Sequence, residues 1–308
     1  MRLAFAGTPA AALPSLDALL GSDHDVLAVV TRPQRPAGRG RQMTASPVEA
    51  RAVERGIPVL SPEKAADPDF LGELAALALD ACAVVAYGAL LPPAALVVPR
   101  IGWINLHFSV LPAWRGAAPV QRAILAGDEM TGASTFLIEE GLDTGPVLGV
   151  VTEPMFPHDT AGDLLDRLAG SGAELLKRTM DGLAAGRLVG VPQSNDGVSH
   201  AAKLKPDDVR VDWTAPAMHI DRLVRAATPA PGAWTTFRDR RLKLGPVRHA
   251  DEPGLAPGEL RDLGPDGVRV GTATGAVTLT TVQPESKAAM DVAAWVRGIR
   301  LETGERLR

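Results

Sequence analysis

Cysteine is almost missing from this chain of 308 residues, which has only Cys82. No internal disulfide can form. The one thiol lies in an apolar run at residues 81–86, where a small buried hydrophobe is the plain reading. Lack of a disulfide framework suits a reducing compartment, so a cytoplasmic protein is expected. Aromatic residues make up only 4% against 46% hydrophobic residues, so Ala, Val and Leu must fill the cores. No apolar run approaches the ~18 residues of a membrane span. The start, Met1-Arg2-Leu3-Ala4-Phe5-Ala6-Gly7, reads as a first β-strand rather than a signal peptide. Gly-x-Gly-x-x-Gly is absent after that strand, where Gly7-Thr8-Pro9 stands, which argues against a nicotinamide enzyme. The six histidines are scattered without ligand spacing, so no metal is expected. Neither Cys82 nor a serine in a Gly-x-Ser-x-Gly elbow is placed to attack a substrate covalently.

Acidic residues are missing locally. None occurs from Val26 through Val48, a stretch that holds Arg32, Arg35, Arg39 and Arg41. Its prolines and glycines argue against a regular element. The net charge of −4 is unevenly spread: 17 Lys/Arg stand against 14 Asp/Glu from Lys203 onward, and 15 against 22 before it. An acidic first part joined to a mildly basic second part is compatible with a polyanionic partner.

Apolar strand-like runs at 3–6, 26–31, 81–86 and 102–108 alternate with helix-like stretches around 13–20, 47–54, 70–77 and 119–125. Buried strands alternating with helices predict an α/β domain with a Rossmann-like, mostly parallel sheet, whose sites form beyond the carboxyl ends of the strands. Asp159 or Thr160 can cap a further helix through Leu164, Leu168, Leu176 and Met180. A linker rich in Pro, Gly, Ser and Asn follows, and then short β-rich runs at 234–237, 242–247, 268–272 and 277–282 predict a small OB-like β-barrel. The expected division is 1–188 for the first domain, 189–204 for the linker and 205–308 for the barrel.

The chemistry concentrates in Asn105-Leu106-His107-Phe108-Ser109-Val110-Leu111-Pro112. At spacing two, Asn105, His107 and Ser109 would project from one face of an extended strand. A lone histidine in such a place is usually structural, but three aligned polar groups at a strand end favour a site. Asp143 stands in a glycine-flanked turn, Glu140-Gly141-Leu142-Asp143-Thr144-Gly145. Alone it would be a turn residue. Beside an imidazole, a carboxylate can fix the tautomer, raise the pKa and accept a proton. An amide and an imidazolium can donate to an oxyanion. Together these groups suit acyl transfer without a covalent intermediate.

Asn105-x-His107-x-Ser109-x-Leu111-Pro112, Arg115-Gly116-Ala117-Ala118-Pro119 and Leu142-Asp143-Thr144-Gly145 resemble the folate-dependent formyltransferases. Three further stretches resemble the members that act on methionyl-tRNA: Phe5-Ala6-Gly7-Thr8-Pro9, the run Arg32 to Arg41 followed by Ser46-Pro47-Val48, and Ala202-Lys203-Leu204 with Val211-Asp212-Trp213. The resemblance implies 10-formyltetrahydrofolate as formyl donor, initiator methionyl-tRNA as partner, and a cytoplasmic monomer. It implies Asn105, His107 and Asp143 as catalytic residues. Ser109, Val110, Leu111 and Pro112 would contribute to the folate site, and Ala86, Tyr87, Gly88, Ala89 and Leu90 would line its pterin pocket. Gly88 there would let a flat ring approach the main chain. Arg35, Arg39, Arg41, Lys203, Lys205, Arg240 and Arg241 become candidates for tRNA contact, each of which alone is more often a solvated charge. Two other readings remain: a formyltransferase of the same donor acting on a small amine, and a noncatalytic RNA-binding protein.

Overall fold

Apolar strands without polar alternation belong in a sheet covered on both faces. The first strand, β1 (Arg2–Gly7), is of this kind, with every residue after Arg2 buried. In the computed structural model, which describes all residues except 38–41, 251–253 and 265–266, β1 lies inside a seven-stranded sheet. The other strands met in the first half of the chain are β2 (Asp25–Val30), β3 (Arg35–Ala37), β4 (Gln42–Thr44), β5 (Val59–Leu60), β6 (Ala81–Val85), β7 (Gly102–His107), β8 (Met130–Leu137) and β9 (Val147–Pro154). The sheet order is β5-β2-β1-β6-β7-β8-β9. Its first five members run parallel, and β8 and β9 add an antiparallel hairpin at the edge.

Side chains of Ala4, Val30, Phe70, Leu74, Cys82 and Trp103 form one buried cluster against this sheet. The helix Pro47–Glu54 begins at the expected residue because Ser46 and Glu49 form a reciprocal capping box. The long helix Ala161–Ala184 starts the same way: Thr160 Oγ1 accepts from the Asp163 amide at 3.2 Å and Asp163 accepts from the Thr160 amide at 3.0 Å.

Two expectations need correction here. The arginine-rich stretch is not without regular structure, since β3 and β4 pair antiparallel with Arg35 opposite Thr44. Prolines are tolerated on such an edge ribbon because half of its amides need no partner. The apolar run 277–282 is two strands rather than one, as a break after Leu279 sends the chain into a second sheet.

The chain divides into two compact units. The first gathers residues 1–116, 130–154 and 165–200, and the second gathers 117–129, 155–164 and 201–308. Much of the stretch read as a linker is therefore fastened to the first unit; the Val191 amide and carbonyl each bond Val147 at 2.8 Å.

In the second unit the small barrel takes the form of two four-stranded antiparallel sheets. Its strands are β10 (Trp234–Phe237), β11 (Arg240–Leu244), β12 (Arg248–Ala250), β13 (Leu260–Asp262), β14 (Val268–Gly271), β15 (Ala276–Leu279), β16 (Thr281–Pro284) and β17 (Met290–Asp291). They pair as β10-β11-β16-β17 and β12-β15-β14-β13. Trp213, Ile220, Val224, Phe237, Val270 and Trp295 share their core.

Candidate active site

Strand alternation puts Asn105 and His107 on one face of β7. His107 is almost wholly buried, with 6% of its side chain exposed, and meets Phe136 edge-on. Its Nε2 lies 2.8 Å from the Trp114 carbonyl. A carbonyl can only accept, so the neutral ring carries its proton on Nε2. Nδ1 is then bare and faces Oδ2 of Asp143 at 3.7 Å, beyond hydrogen-bond length.

Burial pushes the His107 pKa below its ordinary value, while the charge of Asp143 and the bond to Trp114 act in the opposite direction. Burial prevails, so the resting ring is neutral. A proton arriving at Nδ1 would turn two facing acceptors into an attracting pair.

Asp143 reaches this position by an indirect route. Because β8 runs antiparallel to β7, its last residue, Leu137, sits opposite Ile104, upstream of His107. The loop 138–146 must double back along the sheet. It does so by pressing Gly145 against the Leu137 carbonyl, where any Cβ would collide with that oxygen. Asp143 itself takes a left-handed conformation, φ 51°, which aspartate tolerates better than most side chains. Its Oδ2 accepts from the Gly116 amide at 2.8 Å. Gln193 ties the loop down further, with Nε2 donating to the carbonyls of Asp143 and Gly145, both at 2.8 Å. Its Oε1 accepts from Nε and Nη2 of Arg115 at 3.0 and 2.6 Å.

Asn105 is half-buried, and its side chain makes no hydrogen bond to any described residue, which leaves the amide free to donate to a ligand. Ser109 departs from the expected alignment. The strand stops at His107, and the Ser109 hydroxyl is buried and spent on the Ala113 carbonyl at 2.6 Å. Ser109 therefore shapes the turn rather than extending the polar face. Within that turn Leu111 is buried, while Val110 and Pro112 are half-buried.

At the carboxyl end of β6, Tyr87 is buried, Ala89 is half-buried, and Ala86, Gly88 and Leu90 are exposed, Leu90 to 86%. Gly88 has φ 83°, and a Cβ built on it would meet nothing nearer than Arg32 Cγ at 4.0 Å. Small apolar side chains and an uncovered backbone fit a flat heteroaromatic ring. Among the described residues no group of three or more His, Cys, Asp or Glu could hold a metal, and no helix is long and apolar enough to cross a membrane.

The basic candidates separate by what already engages them. Arg35 is exposed on the β3–β4 ribbon, and Arg39 and Arg41 lie outside the described residues. Lys203, Lys205 and Arg240 are exposed, and Arg241 stacks over Trp234 at 4.2 Å. Arg240 and Arg241 line a groove of about 450 Å³ floored by Phe237, Leu242 and Trp295. Arg238, on the same groove, is held by both carboxylate oxygens of Glu305 at 2.7 and 2.9 Å.

The sequence reading missed the Trp114 carbonyl and the Gly116 amide, which are backbone groups that no side-chain pattern signals. It also missed Gln193, whose surroundings read only as a linker.

Residues 1–180 match the family described as Formyl transferase, and residues 203–300 match its C-terminal domain. A methionyl-tRNA formyltransferase of Thermobifida fusca (strain YX) is 63% identical over 307 residues, covering 99% of each chain. The chain belongs to the methionyl-tRNA formyltransferase family. A further member, from Streptomyces coelicolor, is 61% identical over 309 residues, covering 100% of this chain and 99% of that one. Solved structures share the fold of this formyltransferase at low identity. HypX from Aquifex aeolicus in complex with tetrahydrofolic acid has a TM-score of 0.66 at 18% identity over 99% of this chain, which spans 48% of that longer one. An N-formyltransferase from Helicobacter canadensis, in complex with folinic acid and dTDP-3-aminofucose, has a TM-score of 0.65 at 16% identity, covering 92% of this chain and 99% of that one.

Proposed function

We propose that this formyltransferase moves the formyl group of 10-formyltetrahydrofolate to the α-amine of initiator methionyl-tRNA, with Asn105, His107 and Asp143 as its catalytic residues. One observation carries the reading: a buried imidazole, fixed at Nε2 by Trp114, turns a bare Nδ1 toward Asp143 on the face that also bears the Asn105 amide. The folate, bound along 86–90 and 109–112, supplies the formyl carbon. Asn105 donates to the formyl oxygen as attack by the amine makes it negative. His107 takes a proton at Nδ1, where the Asp143 charge stabilises the imidazolium, and returns it toward the leaving nitrogen. Full-length relatives named for methionyl-tRNA support the choice of acceptor.

Residues 1–188 would then form the catalytic domain and 205–308 the tRNA-binding domain, with 189–204 between them. Arg35, Arg39, Arg41, Lys203, Lys205, Arg240 and Arg241 would meet the tRNA backbone, and the enzyme would work as a cytoplasmic monomer. The test is incubation with 10-formyltetrahydrofolate and either methionyl-tRNA or glycinamide ribonucleotide. Formylation of methionyl-tRNA alone is expected, and formylation of the ribonucleotide in its place would overturn the acceptor.

A further inference from the structure

We propose that Gln193, with Arg115 as its counterpart, is a positioning residue that holds Asp143 at its working distance from His107. The proposal rests on the reading of Asp143 as catalytic.

A primary amide offers two donors and two acceptor sites, and Gln193 uses all four. Both donors go to carbonyls of the loop, at Asp143 and Gly145, and both acceptor sites go to the Arg115 guanidinium. The orientation of the amide follows from its partners. Reversed, it would set an NH2 against a guanidinium and an oxygen against two carbonyls, so only one orientation is compatible with all four bonds.

The places these bonds reach give the arrangement its consequence. Arg115 stands between Trp114, whose carbonyl fixes His107, and Gly116, whose amide fixes Asp143. One side chain therefore joins the segment that orients the imidazole to the loop that carries the carboxylate. That loop needs a fastening because the antiparallel course of β8 carries it away from His107 before it returns. Gln193 is itself anchored, since two residues earlier Val191 pairs with Val147 through both backbone groups. It also falls between the two stretches matched by the family, 1–180 and 203–300.

If Gln193 acts through Asp143, its removal lowers the rate of the chemical step without weakening donor binding, because a small displacement of a catalytic group costs up to about 100-fold in rate. The experiment compares Gln193→Met, which keeps the shape and loses the hydrogen bonds, in the full-length enzyme and in an Asp143→Asn background. Steady-state formylation of methionyl-tRNA should lose about tenfold or more in kcat for Gln193→Met, with KM for 10-formyltetrahydrofolate within about twofold. In the Asp143→Asn background the same substitution should add nothing, since groups acting as a unit are not additive. Gln193→Glu keeps an acceptor for Arg115 but turns oxygen toward the two carbonyls. It should show the same split between kcat and KM, and it serves where the methionine variant does not fold.

Unchanged kcat in a folded Gln193 variant, a loss confined to KM, or a loss that multiplies with that of Asp143→Asn would each overturn the proposal. Near-normal turnover by Asp143→Asn would instead remove the catalytic reading and this proposal with it. A slow Asp143→Asn beside a fully active Gln193→Met would remove this proposal alone.

Discussion

The Gly116 amide donates to Oδ2 of Asp143, the same carboxylate oxygen that faces His107. The carboxylate is thus oriented by the backbone before any substrate arrives, and its charge is aimed at the nitrogen that gains a proton in the proposed mechanism. An asparagine here can still accept from Gly116 but carries no charge. Asp143→Asn should lower kcat on the order of 100-fold or more, the usual size of a general acid–base contribution. Steady-state formylation of methionyl-tRNA is the measurement, and near-normal turnover would take Asp143 out of the mechanism.

Gly145 offers a test of the loop that avoids the groups proposed as catalytic. Its missing side chain lets the returning strand lie against the Leu137 carbonyl, a backbone atom that has no room to give. Gly145→Ala should displace the Asp143 loop, lowering kcat while destabilising the fold by about 1–3 kcal/mol, as overpacking does. Urea denaturation and turnover on one preparation would check both. A variant with normal values for each would show that the loop has slack.

Acid sensitivity follows from His107. Its pKa is lowered in the folded protein, mainly by burial, so the unfolded chain binds the proton more readily. The resulting stability is full above the unfolded value of about 6.5 and is lost as pH falls through the lowered folded value. His24, lowered chiefly by burial, contributes with the same sign. Urea midpoints between about pH 5 and 7.5 should therefore fall toward acid, and His107→Asn should make the slope shallower. An unchanged slope would mean that His107 does not titrate in this window.

How much of this was legible in the sequence depends on what kind of information each part needs. Asn105 and His107 were visible together because strand alternation has a period of two, and the sheet followed from apolar runs with nothing polar between them. The helix at 47–54 lies where the helix-like stretch was expected, and the Ser46–Glu49 capping box that starts it is seen in the structure. The alignment expected to reach Ser109 stops at His107, where β7 ends, and the Ser109 hydroxyl meets the Ala113 carbonyl, a local interaction that periodicity does not contain. The return of the 138–146 loop depends on the direction of β8 and on partners at 114–116 and 193, all distant in the chain. The β3–β4 ribbon hid behind prolines that an edge position tolerates.

The basic residues of the second unit can be ranked by their existing partners. Arg240 and Arg241 have no acidic partner among the described residues, whereas Arg238 is bound to Glu305. Joint replacement of Arg240 and Arg241 by alanine should raise KM for methionyl-tRNA and flatten its dependence on salt, by roughly one counterion for each phosphate no longer neutralised. KM for the folate should stay within about twofold, as uniform weakening of one substrate's binding does not reach the other. An Arg238→Ala variant with the larger effect on tRNA would reverse the ranking.

Cys82 is the second residue of β6 and has no exposed surface, and burial holds its thiol far from the reactive thiolate form. A thiol reagent can therefore find it only when the sheet opens. Because the chain has no other cysteine, the rate of its alkylation records how often the first unit comes apart, giving the molecule a reporter of its own breathing that needs no engineered label.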